Sequence, residues 1–233
     1  DPSGLASAVK RLGNPKGFAD YRRMLDEIKP DLVTICPRWL DQHCDMVVAA
    51  AERGVRGIYL EKPLCRTLEE ADRMQAACER NNTKLAIAFQ IRYSQKLPVV
   101  RSLIESGRLG RILEFRARDK EDRRGGGEGL VVLGPHMFNL ISVLGGNPEW
   151  CMSRVHRNGQ SIQREDVVEG AEGIGPLAGD EIHAMYRMSG GATAYWDSVR
   201  NAAKPPSRFG IQILGTEGII QSFDTGQLPE MYF

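Results

Sequence analysis

The sequence predicts an α/β protein: an incomplete, doubly wound parallel sheet, followed by an α+β part whose sheet is mainly antiparallel. Three observations carry this prediction. Short apolar runs at 31–36, 57–60 and 84–90 alternate with helical stretches. The connections between them are short, as in strand–helix–strand crossovers. Beyond residue 94 the pattern changes to pairs of strands separated by glycine-containing turns, which are hairpins and imply antiparallel pairing.

The elements follow in order. Leu5, Ala8, Val9 and Leu12 recur at helical spacing, and Pro15 and Gly17 end that helix. Residues 20–28 form a short helix with Tyr21, Leu25 and Ile28 on one face, closed by Pro30. Asp31-Leu-Val-Thr-Ile-Cys36 is a near-continuous apolar run between two prolines and reads as a buried parallel strand. A helix over 41–53 turns Met46, Val47, Ala50 and Ala51 inward and stops at Gly54. Residues 57–60 form a second strand, followed directly by Glu61-Lys62-Pro63. Thr67 with Glu70 three residues on has capping-box spacing and starts a helix over 68–81. Residues 84–90 form the third strand.

In the second part, 97–106 is a helix closed by Gly107, 111–118 a strand, and 119–129 a charged, glycine-rich loop. Residues 131–144 read as one apolar helix containing His136. Residues 157–180 read as a polar loop. Hairpins follow at 181–188 with 192–199, and at 209–214 with 219–223.

Composition removes several function classes. The net charge is +1, so no basic field exists for neutralising nucleic-acid phosphates. No apolar run reaches the length of a membrane span. Cys36, Cys44, Cys65, Cys78 and Cys151 form no CxxC pair, and the histidines do not cluster with them, which argues against a metal site or a disulfide framework. Scattered thiols among core residues point to a reducing compartment, the cytoplasm. The chain opens on Asp1-Pro2-Ser3 without an initiator Met and ends on the apolar run Leu228 to Phe233 without a closing helix, so an internal fragment is expected.

Ligands on parallel sheets sit beyond the carboxyl ends of the strands. Cys36-Pro37-Arg38, Glu61-Lys62-Pro63 and Gln90-Ile91-Arg92-Tyr93 all fall there. Lys62 follows a strand and precedes a proline, which constrains its backbone; it is either a proton-transfer group or half of a solvated pair with Glu61. The Lys62–Pro63 bond is a candidate for the cis form. His136, in Gly134-Pro135-His136, is either structural or an acid–base group, with Asn139 three residues on and able to share its helical face. Pro37, Arg38 and His43 form a third group; His43 is either part of the site or a surface helix residue. Arg92 and Tyr93 bind a polar ligand or pack between domains. The stretch from Arg116 to Arg124 reads mainly as a solvated loop, with Arg123 and Arg124 flanking a Gly125-Gly126-Gly127 cover. Asp1 is a candidate for accepting hydrogen bonds from a ribose if it ends a strand.

The run from Asp31 to Arg92 resembles the Gfo/Idh/MocA oxidoreductase family. Asp31-Leu-Val-Thr-Ile-Cys-Pro37 with His43, then Tyr59-Leu-Glu-Lys-Pro-Leu64, then Leu85 to Tyr93 match its segments in order. Ile104-Glu-Ser-Gly-Arg-Leu-Gly110, Gly125-Gly-Gly, Gly134-x-His136 and Leu214-Gly-Thr-Glu-Gly218 continue the match over nearly the whole chain.

The resemblance implies a partial Rossmann-type NAD(P)-binding domain over 1–93, without its first strand and glycine-rich loop. It implies a substrate-binding and oligomerisation domain over 94–233, incomplete at its C-terminus. It implies NAD as cofactor, with NADP as the alternative, and hydride transfer to or from a sugar, inositol or related polyol. It further implies catalytic roles for Lys62 and His136. Asp1, Cys36, Pro37, Arg38, His43, Glu61, Lys62, Pro63 and Arg92 would contact the cofactor. Lys62, Tyr93, Arg124, His136 and Asn139 would contact the substrate. The resemblance also implies a homo-oligomer, a dimer or tetramer formed through the second-domain sheet, with Tyr195, Trp196 and Ile211 as interface candidates.

Two departures stand against the family pattern. No G-x-G-x-x-G turn occurs in the chain. Val132 and Asn139 stand where many members carry Asp, with Glu128 as a possible substitute. The alternatives are an NAD-dependent glycoside-cleaving enzyme and a non-catalytic sugar-binding or regulatory relative.

Overall fold

The computed structural model describes residues 1–203, 208–223 and 230–232. Its contacts divide the chain into two compact units, Asp1–Ala88 and Phe89–Phe233, whereas the sequence changes character after residue 93.

The first unit opens with helices α1 (Pro2–Arg11) and α2 (Tyr21–Ile28), each capped by a preceding aspartate, Asp1 and Asp20. Strands β1 (Leu32–Ile35), β2 (Gly57–Leu60) and β3 (Lys84–Ile87) form a parallel sheet in that order. Helices α3 (His43–Glu52) and α4 (Leu68–Arg80) make the crossovers. Ile35, Ile58 and Leu60 meet Leu25 of α2, Val47 and Ala50 of α3, and Met74 and Ala77 of α4 in one apolar core.

The strand at 31–36 is not buried on both faces as its apolar run suggests. Leu32 is 76% exposed and Tyr59 is 44% exposed. Side chains alternate along a strand, and α2, α3 and α4 cover only the face that carries Ile35, Ile58 and Leu60. Ile28 is also exposed, because the helix stops there and Lys29 turns into the left-handed region. Thr67 caps α4 by accepting from the Glu70 N–H at 3.2 Å. The reciprocal half of the box is displaced by one residue: the Glu70 carboxylate accepts from the Arg66 N–H at 2.9 Å and from its guanidinium.

The second unit contains α5 (Lys96–Glu105), β4 (Ile112–Arg118), α6 (Gly127–Val132), α7 (Gly134–Gly145) and β5 (Pro148–Arg157). Short strands β6 (Gln160–Ser161), β7 (Val168–Glu169) and β8 (Pro176–Leu177) follow. The last strands are β9 (Glu181–Met188), β10 (Thr193–Val199), β11 (Gly210–Gly215), β12 (Ile219–Phe223) and β13 (Glu230–Tyr232). The eight-stranded sheet runs β13-β12-β11-β4-β10-β9-β5-β6. It is antiparallel except for the β4–β10 pair, which is parallel.

Three expectations are corrected here, and one element is added. The apolar stretch 131–144 is two helices, because Pro135 lacks an N–H and fits only a first turn. The segment 148–157, unmarked in the sequence, is the longest strand among the described residues; nearly all its residues are exposed, so it carries no apolar period to read. The loop at 119–129 is not solvated: Asp119, Glu121, Gly125, Gly126 and Gly127 are buried. Trp196 and Ile211 are core residues, packed with Phe115, Met137 and Ile213. Tyr195 lies on the opposite sheet face, with the Arg116 guanidinium 4.9 Å from its ring centre. The terminal run Leu228 to Phe233 lies outside the described residues except for the backbone of β13.

That opposite face carries a chain of alternating charge. Arg208 pairs with Glu121 (2.6 Å), Glu121 with Arg118 (3.5 Å), and Arg118 with Asp197 (3.1 Å). His183 lies between Asp197 (2.6 Å) and Glu181 (2.9 Å). Burial alone would lower the His183 pKa, but the bonds to the two carboxylates outweigh it and hold the ring above the ordinary histidine value. A raised histidine stabilises fully below its unfolded value and loses that contribution as pH rises through its folded value. Chemical-denaturation midpoints are therefore expected to fall with rising pH above about 6.5, and His183→Gln should flatten that slope. The ring is 40% exposed, so screening holds the effect to about 1 kcal/mol or less.

Candidate active site

Two groups of candidate residues stand out, one in each unit. In the first unit the parallel ladder continues past the strands: Glu61 N–H donates to Ile35 C=O at 2.8 Å and Ala88 N–H to Leu60 C=O at 2.8 Å. This aligns the carboxyl ends of β1, β2 and β3, so Cys36-Pro37-Arg38 and Glu61-Lys62-Pro63 lie along one edge, where ligands of parallel sheets bind. The Lys62–Pro63 bond is cis. Glu61, Lys62 and Pro63 are half-buried, and Arg38 is exposed. Burial, with the Glu61 charge as a second cause, pushes the Cys36 thiol up, away from the thiolate a nucleophile needs.

His43 is neither a surface residue nor a ring open to a ligand. It is 1% exposed, at the first position of α3. Its Nε2 lies 3.0 Å from the Pro37 carbonyl and its Nδ1 2.9 Å from the Pro63 carbonyl. Asp1 accepts from the N–H groups of Ser3 and Gly4 as the N-cap of α1, which explains its place without a ligand.

In the second unit His136 is the third residue of α7 and is buried, 8% exposed. The Phe89 ring lies nearly perpendicular to it, centroids 6.4 Å apart and planes at 82°. A 3-10 turn at Gln90–Tyr93 follows Phe89 and packs against α7, so the fold brings Arg92 and Tyr93, both exposed, to the same helix as His136. Asn139 is half-buried, and Val132 is buried at the end of α6. Arg124 is folded back on Asp122, Nη2 to Oδ2 at 2.9 Å, which holds the Asp122 carboxyl below the usual range.

The glycine-rich segment before α6 hangs on a buried carboxylate that sequence reading missed. Asp119 accepts from Glu121 N–H (2.7 Å) and from Ser198 O–H (2.5 Å), and Ser198 Oγ accepts from Gly126 N–H (2.7 Å). Burial, against those two bonds, pushes the Asp119 carboxyl up to about 6. The density of glycine at 125–129 was the only sequence signal for such close packing. Phe89 was also missed; as an apolar residue at a strand end it carries no signal of its own. Among the described residues no cluster of His, Cys, Asp and Glu stands close enough to hold a metal ion. No helix there is long and apolar enough to cross a membrane.

A Rossmann-like parallel unit followed by a mixed-sheet unit with a buried histidine at a helix start defines a two-part α/β protein of the dinucleotide-binding type. The model of the oxidoreductase family with an NAD-binding Rossmann fold matches residues 2–89, and that of the GFO/IDH/MocA C-terminal domain matches residues 99–221. The chain belongs to the GFO/IDH/MocA family.

It is similar to levoglucosan dehydrogenase of Pseudarthrobacter phenanthrenivorans, 29% identical over 246 residues that cover 94% of this chain and 62% of that protein. It is also similar to myo-inositol 2-dehydrogenase of Thermotoga maritima, 25% identical over 49% of this chain and 34% of that protein. The chain thus spans less than two thirds of the length of these relatives. An oxidoreductase domain protein of Kribbella flavida shares the fold, with a TM-score of 0.79 at 22% identity over 100% of this chain and 66% of that one.

Proposed function

We propose that the protein is a nicotinamide-dependent oxidoreductase acting on a sugar, inositol or related polyol. The observation that carries the reading is the alignment of Pro37 and Glu61-Lys62-Pro63 at the carboxyl ends of the parallel strands. That donor set fits the nicotinamide-ribose end of a dinucleotide: Pro37 offers an apolar surface, Glu61 accepts from ribose hydroxyls, and Lys62 supplies an ammonium. When bound, the cofactor supplies the acceptor or donor of hydride.

Lys62 then orients the substrate hydroxyl and eases the loss of its proton, and His136 holds or returns that proton. Burial of His136 keeps bulk water from competing for the proton. Tyr93 and Asn139 contact the polar substrate, Arg92 contacts the cofactor, and Arg124 reaches the substrate only by leaving Asp122. Asp1, beyond capping α1, keeps carboxylate lone pairs for the hydroxyls of an adenosine ribose, which favours NAD over NADP. The names of the relatives, a levoglucosan dehydrogenase and a myo-inositol 2-dehydrogenase, support the substrate class. We further propose a homo-oligomer through the sheet face bearing Tyr195, and a cytoplasmic setting, in keeping with five free cysteines.

The test is made on the full-length gene product with NAD and NADP separately and a panel of sugars, polyols and glycosides. Reduced cofactor accumulating in proportion to oxidised substrate is the expected result. Glycoside cleavage without net reduced cofactor assigns the glycoside-cleaving alternative. Binding of a panel member by calorimetry, with no turnover of any, makes the protein a non-catalytic relative.

A further inference from the structure

We propose that His43 is a positioning residue: its buried ring bridges two strand-end loops and sets Lys62 through the carbonyl of the residue that follows it. The inference deepens the functional reading above and rests on it. The ring stands at the first position of α3, between the loop after β1 and the loop after β2. Each ring nitrogen faces a backbone carbonyl, Pro37 at 3.0 Å and Pro63 at 2.9 Å. A carbonyl oxygen only accepts, so each contact is a hydrogen bond only while its own nitrogen carries a proton.

Neither Pro37 nor Pro63 has an N–H of its own, so neither residue can be held by donating to the sheet. Their carbonyls are the remaining backbone handles, and the His43 ring stands against both, donating to the one that faces its protonated nitrogen. At 1% exposure the ring itself is shielded from water. The group fixed by the Nδ1 contact is one residue from Lys62, and the group fixed by Nε2 belongs to Pro37. A single side chain therefore sets the spacing between the apolar surface offered to the cofactor and the ammonium offered to the substrate.

Two substitutions separate the contacts. In His43→Asn the amide nitrogen lies as far along the side chain as Nδ1 and can keep the bond to Pro63. In His43→Gln it lies as far along as Nε2 and can keep the bond to Pro37. The expected result in the full-length protein is a split. His43→Asn retains kcat within about threefold while KM for the nicotinamide cofactor rises. His43→Gln loses about 10- to 100-fold in kcat, the scale of a misplaced reacting group.

Both variants are checked by circular dichroism and denaturation. The wild type supplies a second readout that needs no variant to fold. In protein carrying nitrogen-15 histidine, a slowly exchanging ring N–H signal from His43 is expected, assigned by its absence from the His43→Asn and His43→Gln spectra. Folded variants that both keep kcat and KM within about twofold of wild type would overturn the proposal, as would rapid solvent exchange of the His43 ring. If the wild type transfers no hydride, the functional reading fails by itself. The positioning claim is then decided by acylation of Lys62, read by mass spectrometry: a rate changed by Gln and not by Asn supports it, and a rate unchanged in both overturns it.

Discussion

Gly129→Ala is expected to destabilise the second unit by roughly 2–5 kcal/mol, read as a lower urea midpoint at constant m-value. On an open helix the same change would stabilise by up to about 1 kcal/mol, because alanine is the better helix former. Here the site decides the sign. A Cβ on Gly129 would overlap Asp119 Oδ2 and stand 2.8 Å from Ser198 Oγ and 3.0 Å from the Arg124 carbonyl. Asp119 cannot swing away without abandoning the Glu121 N–H and the Ser198 hydroxyl in a buried setting.

A double-mutant cycle tests the mechanism. Asp119→Ala alone orphans those donors and should cost about 1–3 kcal/mol for each buried group left unpaired. Combined with Gly129→Ala it should cost less than the sum, because the clash has lost its partner. Strict additivity would mean that the alanine methyl does not meet Asp119.

The same carboxylate shapes the pH profile. Its folded pKa, about 6, lies above the reference value of 3.8. An acid raised on folding stabilises fully below the unfolded value and loses that contribution as pH rises through the folded one. Stability should therefore fall by on the order of 2–3 kcal/mol between about pH 4 and 6 through this group. That window lies below the one set by His183, so the two contributions are separable in one titration.

Lys62→Ala and His136→Ala are each expected to lower kcat by about 10²- to 10⁴-fold in the full-length protein, the range for losing a positioned acid–base group. Lys62→Arg should not restore the rate, since a guanidinium does not release its proton near neutrality and is broader than an ammonium. The two losses should combine to less than their product if both groups serve one proton transfer. If either alanine variant keeps kcat within threefold, its residue is structural and the proton path must be sought elsewhere, first at Glu128. His136→Gln should largely preserve the fold, since the ring meets Phe89 in a T-shaped contact and a flexible amide can fill that space. A stability loss without a rate loss would assign His136 to the core.

Much of this molecule is legible in one dimension. The alternation of apolar strand and helix between Asp31 and Ile87 predicts the parallel sheet, because period and connection length are local properties. Lys62 and Pro63 announce themselves by adjacency to a strand end, and His136 by its place at a helix start. The hairpins of β9–β10 and β11–β12 follow from their turns.

Other features depended on partners far along the chain. The strand β5 is almost wholly exposed, so no apolar rhythm marks it, and only pairing with β9 makes it a strand. The charged loop after β4 reads as solvated because its composition is polar. It is buried because Ser198, 79 residues away, donates to Asp119, and because Arg208 pairs with Glu121. Leu32 and Tyr59 read as core and are exposed, since burial of a strand depends on which helices cover each face. Sequence by itself determined the order and kind of the main elements and the residue types at the strand ends. Tertiary structure decided what each side chain meets: His43 became a buried bridge between two carbonyls, and Asp119 a buried anchor, because hydrogen-bond partners distant in sequence are found only when the chain has folded.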